Sequence, residues 1–280
     1  MAKVYERIEP RMARWISEQP VFFVATAPLT GDGMVNVSPR GLRGTFAVLD
    51  EVETSMGTLS LRRRLEPTRQ VDVYEVKLGD EFLMSSLFVA GEQELARLGL
   101  AAVPGDGPLD VVVGGLGLGY TAAEALHDPR VASLTVVEAL APVIGWHRQG
   151  LLPEVAELAD DPRVRFVEAD FFAATADGGY DPDDPGRRFD AVLLDVDHTP
   201  EHHLAGSHAG FYTAAGLSDL VARLTEGGVF ALWSDQVVGP PFLDVAREVL
   251  DDVVSHEVAF RNVLAGGTSA NGVLVGRRPV

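Results

Sequence analysis

Cysteine is absent from the 280 residues. Its absence removes disulfides, thiolate nucleophiles, iron–sulfur clusters and cysteine-ligated zinc, and leaves any catalysis to oxygen and nitrogen groups. Positive charge is scarce: 23 Lys plus Arg face 41 Asp plus Glu, a formal net charge of −18, and Lys3 and Lys77 are the only lysines. A protein that grips nucleic acid needs a basic face to displace counterions from phosphates, so nucleic acid is not expected as a partner. Long apolar runs are missing too. No stretch approaches the roughly 18 uncharged apolar residues of a membrane span, and the opening MAKVYERIEPRMARW mixes charges with no apolar core of a signal peptide. Neither secretion nor membrane insertion is expected; a cytoplasmic enzyme or binding protein is. What remains is 46% hydrophobic, enough to bury a sizeable core and too much for a disordered acidic chain.

Two rhythms divide the chain. Residues 5–18 space Ile8, Met12, Trp15 and Ile16 as a short amphipathic helix, and Val21 to Ala27 and Met34 to Val37 flank the turn Thr30-Gly31-Asp32-Gly33 as a hairpin. MGTLSL, VDVYEVKL and EFLMSSL then read as antiparallel strands within residues 52–88, with Arg62-Arg63-Arg64 as a polar connection between the first two. From residue 91 helices alternate with the apolar runs LDVVVGG, SLTVVEA, VRFVEAD, FDAVLLD and GGVFALWS, and helices are expected at 91–101, 120–127, 142–158 and 213–225. Continuous Val/Leu runs suit strands buried on both faces, so this half predicts a mostly parallel, doubly wound α/β sheet. SHEVAFRNV and NGVLVG predict a terminal antiparallel hairpin. The expected organisation is an appendage over 1–51, a β-rich region over 52–90 and a Rossmann-like domain over 91–280.

The strongest local signal is a strand, Val111 to Val113, running into Gly114-Gly115-Leu116-Gly117-Leu118-Gly119. Glycines there let a ligand approach the backbone at a helix N-terminus; they also serve tight strand-to-helix packing. Gly115, Gly117 and Gly119 are the candidate ligand contacts. Glu138 ends the next strand, where a carboxylate can accept both ribose hydroxyls or merely begin a helix. Asp170, beyond the third strand, can take an adenine amino group or cap a helix. No phosphate loop ending in Gly-Lys-Ser/Thr is present, and an acidic pocket suits a cationic adenosyl sulfonium better than a dinucleotide.

The fourth strand ends at Asp195-Val196-Asp197-His198, which brings Asp195 and Asp197 to the same crevice as candidate acid–base groups. His198, His202, His203 and His208 fall within eleven residues. Their spacing matches no metal motif, and a polar surface loop is the expected reading, with no metal.

These residues resemble the spermidine/spermine synthase family, the polyamine aminopropyltransferases, over about 52–280. The resemblance rests on Gly79-Asp80-Glu81-Phe82, the Gly115–Gly119 loop with Glu124, Val136-Val137-Glu138, Asp161-Pro162-Arg163-Val164, Glu168-Ala169-Asp170, the strand ending in Asp195, Phe211-Tyr212-Thr213 and Gly227-Gly228-Val229-Phe230. It implies a methyltransferase-type Rossmann fold, decarboxylated S-adenosylmethionine as co-substrate with no tightly bound cofactor, and a small amine as acceptor. It also implies that Glu138 binds ribose, Asp170 binds adenine and Asp195 is the base. The chain departs from the family where Leu118 stands in place of an Asp that holds the donor's amino group, and where His198 replaces the second Asp of Asp-x-x-Asp-Pro, with Asp197 one residue early. A second tyrosine of the family has become Leu217. These changes keep open an S-adenosylmethionine-dependent methyltransferase, or a non-catalytic adenosyl or polyamine binder. A homodimer through edge pairing is compatible with the β-rich region. Residues 1–50 resemble the opening of pyridoxamine-phosphate-oxidase-like flavin proteins, in Gln19 to Pro28 and Asn36 to Gly41, without room for a barrel that would hold flavin.

Overall fold

The computed structural model describes residues 22–26, 36–40, 46–67, 69–262 and 266–280. The expected helix over 5–18 and the turn at 30–33 lie outside them. The chain divides into two units, Met1–Leu83 and Met84–Val280.

In the first unit, β1 (Phe22–Thr26) pairs antiparallel with β2 (Asn36–Arg40), Val24 opposite Ser38. A separate antiparallel sheet follows in the order β3 (Phe46–Thr54), β4 (Gly57–Glu66), β5 (Val71–Leu78) and β6 (Glu81–Ser85). The expected polar connection at Arg62–Arg64 is instead the middle of β4, with Arg62 opposite Glu75 and Arg64 opposite Val73. Cross-strand carboxylates make this possible: Arg64 Nε donates to Glu75 Oε1 at 2.5 Å, and Arg63 lies 3.8 Å from Asp72. Such pairs hold long side chains flat against a pleated surface.

The second unit is a seven-stranded sheet in the order β12-β13-β11-β10-β7-β8-β9. Strands β7 (Leu109–Gly114), β8 (Val131–Glu138), β9 (Val164–Glu168), β10 (Phe189–Leu194) and β11 (Leu224–Ser234) run parallel, and β13 (Thr268–Arg277) pairs antiparallel with both β11 and β12 (Asp251–Arg261). This is the expected α/β architecture with its terminal antiparallel hairpin. Val111, Val112 and Val113 on β7, and Ala191 through Leu194 on β10, are wholly buried, so these strands read as unbroken apolar runs.

Helix α1 (Ala90–Ala101) turns Gly91, Glu92, Leu95, Ala96, Gly99 and Leu100 inward at helical spacing. Helix α2 (Tyr120–Ala125) follows the glycine loop. The single helix expected over 142–158 is two pieces: α3 (Ala141–Arg148) ends where Gly150 takes a left-handed φ of +67°, and Pro153 opens a 3-10 turn, Pro153–Ala159. Left-handed glycine and proline both stop a helix. A short turn, α4 (Phe171–Ala173), follows β9; α5 (Ala214–Ala222) precedes β11; and α6 (Pro240–Arg247), which begins on two prolines, was not expected.

Asp128-Pro129-Arg130-Val131 and Asp161-Pro162-Arg163-Val164 are the same tetrapeptide, each leading into a strand. Each arginine bonds the aspartate two residues before it and reaches carbonyls at the end of an earlier helix: Arg130 the Leu100 oxygen at 2.7 Å, Arg163 the Leu126 oxygen at 3.2 Å. Neither α1 nor α2 carries a basic residue in its own last turn, so these arginines supply the cationic cap. Arg130→Ala is expected to cost about 1–3 kcal/mol, read by urea denaturation; a loss within ~0.5 kcal/mol contradicts the capping role.

Candidate active site

Strand order reverses between β7 and β10, and a crevice opens at that point beyond the carboxyl ends of the strands. The two strand ends approach closely: Asp195 N donates to the Gly114 oxygen at 2.8 Å, while Gly115 N donates to the Val137 oxygen on β8 at 2.9 Å. Gly115 has φ +91°, and a Cβ there would overlap the Asp195 carbonyl oxygen. Only glycine meets both demands. Gly119, φ +88°, starts α2, and a Cβ on it would lie 2.6 Å from His147 Cε1.

The loop's own donors are spent within the protein. Leu116 N–H donates to Glu138 Oε2 at 2.9 Å, and Leu118 N–H points at the Met84 sulfur at 3.1 Å. His147, 3% exposed on the inner face of α3, bonds the Gly117 oxygen through Nε2 at 2.9 Å. Burial lowers its pKa, so the ring is a neutral donor. A loop whose N–H groups face a carboxylate and a thioether is not arranged as a phosphate nest. Glu138 ends β8 nearly buried, with Oε1 accepting from Leu140 N–H at 2.8 Å. Burial pushes its pKa up, and the backbone donors of Leu116 and Leu140 pull it back. With Gly117 and Ala139, four backbone N–H groups surround a carboxylate that offers about four acceptor positions.

Asp170 lies exposed beyond β9, with Oδ1 accepting from Phe172 N at 2.8 Å and Ala173 N at 3.1 Å. It caps α4, as the plainer of the two readings had it. Asp195 follows β10 and accepts from Thr121 Oγ1 at 2.6 Å. Its pKa is pushed up to about 6 by burial, against the Thr121 hydrogen bond. At neutral pH it is therefore ionised yet more basic than an ordinary aspartate.

Asp197 is placed differently. Only 1% exposed, it accepts from His208 Nδ1 at 2.8 Å, Tyr212 OH at 2.9 Å and Leu204 N–H at 2.7 Å. Its carboxylate fastens the loop after β10 to the start of α5. Burial and the Asp197 charge raise the Tyr212 pKa well above its ordinary value, so that hydroxyl stays a donor. Of the clustered histidines, His208 stacks on Phe172 and His203 on Tyr212, whereas His198 faces His202 at 5.2 Å between ring centres. His198 and His202, with Glu201, Ser234, Asp235 and Gln236, line a cavity of about 500 Å³ beyond the ends of β10 and β11.

The crevice thus gathers the glycine loop, Glu138 and Asp195. Glu92, at the first turn of α1, is a titratable group that the motifs did not reveal. It is 5% exposed, and its pKa is pushed up to about 8 by burial and then by the Asp195 charge. The signal lay in the periodicity, since Glu92 falls on the stripe shared with Leu95, Ala96 and Gly99.

The fold and site together define a Rossmann-like α/β domain with an acidic crevice. No family model matches the sequence, and no curated protein does. Among solved structures, the chain is similar to a spermidine synthase in complex with the transition-state analogue AdoDATO, at a TM-score of 0.65 and 16% identity, over 98% of this chain and 83% of that one. A spermidine synthase from Thermotoga maritima gives 0.63 and 16%, over 98% and 82%. The fold is that of the spermidine synthases. Among the described residues no helix is long and apolar enough to cross a membrane.

Gly115→Ala is expected to cost about 3 kcal/mol or more in urea denaturation, because strain and overlap coincide; a cost below ~1 kcal/mol contradicts the close approach. Asp197→Ala should cost about 2–4 kcal/mol by leaving three buried donors unmatched. It should also speed proteolysis between residues 198 and 213, and an unchanged cleavage pattern contradicts the anchoring role.

Proposed function

We propose that the protein is an aminopropyltransferase-like enzyme: an amine attacks the carbon beside the sulfonium of decarboxylated S-adenosylmethionine, the C–S bond breaks, and neutral methylthioadenosine leaves. The observation that carries this reading is Asp195, a half-buried, partly basic carboxylate held by Thr121 at the strand reversal of a spermidine synthase fold. The complex of a protein of that fold with the transition-state analogue AdoDATO supports the choice of donor.

In this reading the nucleoside lies along the glycine loop, whose Gly115, Gly117 and Gly119 let the backbone pack closely on the Asp195 carbonyl, Met84 and His147. Glu138 receives the ribose hydroxyls. Asp170 faces the adenine from the next strand tip, its Oδ1 already capping α4. Asp195 takes the proton that the attacking amine must shed, and its negative charge favours the cationic donor before the transfer. Asp197 contributes indirectly by fixing the loop that leads away from Asp195.

The acceptor is assigned to the cavity at the ends of β10 and β11. Glu201 and Asp235 offer negative charge there, and Ser234 lines it with a buried hydroxyl that has no partner of its own. A buried polar group without a partner is costly, and a ligand amine could satisfy it. Its His198 and Gln236 differ chemically from a purely acidic diamine clamp. Assembly as a homodimer and a cytoplasmic setting belong to the same proposal.

One observation favours a second reading. Leu118, where the family resemblance expects a carboxylate for the donor's amino group, is 1% exposed and packed. A methyltransferase using intact S-adenosylmethionine does not need that carboxylate. Calorimetry with both nucleosides separates the two: tighter binding of the decarboxylated form supports aminopropyl transfer, and preference for the carboxylated form reverses the choice. Asp195→Asn is expected to slow methylthioadenosine release at least ~100-fold while nucleoside affinity stays within ~3-fold; equal turnover in the variant removes Asp195 from the chemistry.

A further inference from the structure

Glu92 is a buried carboxyl at the start of α1 with no cation to pair with. Among the described residues, no Lys, Arg or His forms an ion pair with it or with Asp195. Carboxylates are rarely buried in this way unless paired, because removing one from water costs several kcal/mol. The groups that face Glu92 are known from each side: Asp195 from the end of β10, and Thr121 and Tyr120 from α2. Beside the neighbouring Gly91 lie the uncharged Trp233 of β11 and Asn271 of β13. Tyr120 is neutral, its hydroxyl donating to Glu154.

Thr121 lies between the Asp195 carboxylate and the backbone of Glu92. Its Oγ1, on a side chain 3% exposed, lies 2.6 Å from Asp195 Oδ2 and 3.4 Å from the Glu92 carbonyl oxygen. A hydroxyl has one hydrogen to give, and the shorter contact directs it to Asp195. That hydrogen bond stabilises Asp195 as the ionised member. Glu92 receives no equivalent donor from a neighbouring side chain, so it is the better place for a proton.

We propose that Glu92 and Asp195 act as one carboxyl pair that holds a single proton at neutral pH, carried by Glu92, and that a cation entering beside Asp195 expels it. Only the identity of that cation, an adenosyl sulfonium bearing an ammonium, rests on the aminopropyl-transfer reading. The raised pKa values, about 8 for Glu92 and about 6 for Asp195, agree with this geometry. Two interacting acids lose their protons in two steps that belong to the pair, and between those steps the pair carries one negative charge. The protonated Glu92 avoids a second buried charge while the crevice is empty. An arriving cation reverses that balance, and the pair then meets it with two charges. Glu92 touches neither substrate nor reacting atoms in this account; it positions charge through Asp195.

Infrared difference spectroscopy on the full chain provides the test without any ligand. The wild type should show a protonated-carboxyl band at about pH 7 that titrates away near pH 8 and is missing in Glu92→Gln. In Asp195→Asn the Glu92 midpoint should fall, because the neighbouring charge is gone; an unmoved midpoint shows mere burial and overturns the pair. Thr121→Val, which removes only a hydroxyl, should raise the Asp195 midpoint and keeps the test open if another variant fails to fold. No band at about pH 7 also overturns the proposal. Calorimetry in two buffers of different ionisation enthalpy then addresses the cation. Decarboxylated S-adenosylmethionine should release close to one proton from the wild type and none from Glu92→Gln, whereas neutral methylthioadenosine releases none. Binding without proton release overturns the displacement step. Absence of nucleoside binding counts against the transfer reading instead, and leaves the infrared result to decide the pair.

Discussion

The site depends on how closely β7 and β10 approach at their carboxyl ends. Their parallel pairing sets Leu194 against Gly114, and one residue further on the Asp195 carbonyl occupies the space that a side chain at Gly115 would fill. This contact fixes three things at once. It aims the glycine loop across the end of the sheet, ties that loop to β8 through Gly115 N–H, and delivers the Asp195 carboxylate to the mouth of the reversal. The flanking layers reinforce it from below, where His147 holds the Gly117 carbonyl and closes the space beneath Gly119. A site built on strand ends and packed loops is held more precisely than one on a free loop.

That rigidity has an electrostatic consequence. Carboxyl groups are brought to a place where protein displaces water, and among the described residues no basic side chain pairs with them, so Glu138, Asp195 and Glu92 all have raised pKa values with burial as the leading cause. The three differ in how the cost is offset. Glu138 has several backbone donors, Asp195 has one hydroxyl, and Glu92 has its own backbone N–H. The formal charge of −18 therefore has two parts that behave differently. Most of it is on the surface, since structural pairs such as Asp128–Arg130 and Asp161–Arg163 cancel within themselves, whereas the small buried part favours a cationic ligand.

The parallel sheet was legible because strands buried on both faces must be apolar throughout, and the Val111–Val113 and Val192–Leu194 runs have no other economical use. The strand-tip carboxylates followed from topology alone. Several features escaped, each for a physical reason. Arg62–Arg64 looked like a loop because charge was read without its cross-strand partners, and only the register with Asp72 and Glu75 turns it into a strand. The interval 142–158 kept helical spacing across Gly150 and Pro153, and the break depended on one left-handed residue. Helix α6 began on two prolines, which resemble a loop until they are placed in a first turn. Asp197 shared its position in the motif with Asp195, but its partners His208 and Tyr212 are eleven and fifteen residues away and could not be assigned to it beforehand.

Leu118 and Glu92 together bear on what the crevice can hold. Leu118, 1% exposed, puts a packed apolar side chain on the glycine loop where the family resemblance expects a carboxylate. A cationic ligand there would lose a partner unless charge came from elsewhere. Helix α1 brings Glu92 beside Thr121, which contacts both the Glu92 backbone and Asp195. The difference between the two arrangements is more than position. A carboxylate on an exposed loop is ionised at all times and attracts any cation, whereas a buried carboxyl that must first lose a proton discriminates by how much charge the ligand brings. In a low-dielectric site that discrimination is steep, because each added charge acts on both members of the pair. Leu118 therefore does not by itself leave the crevice without means to hold a cation; in the proposed pairing that charge comes from a helix and depends on protonation.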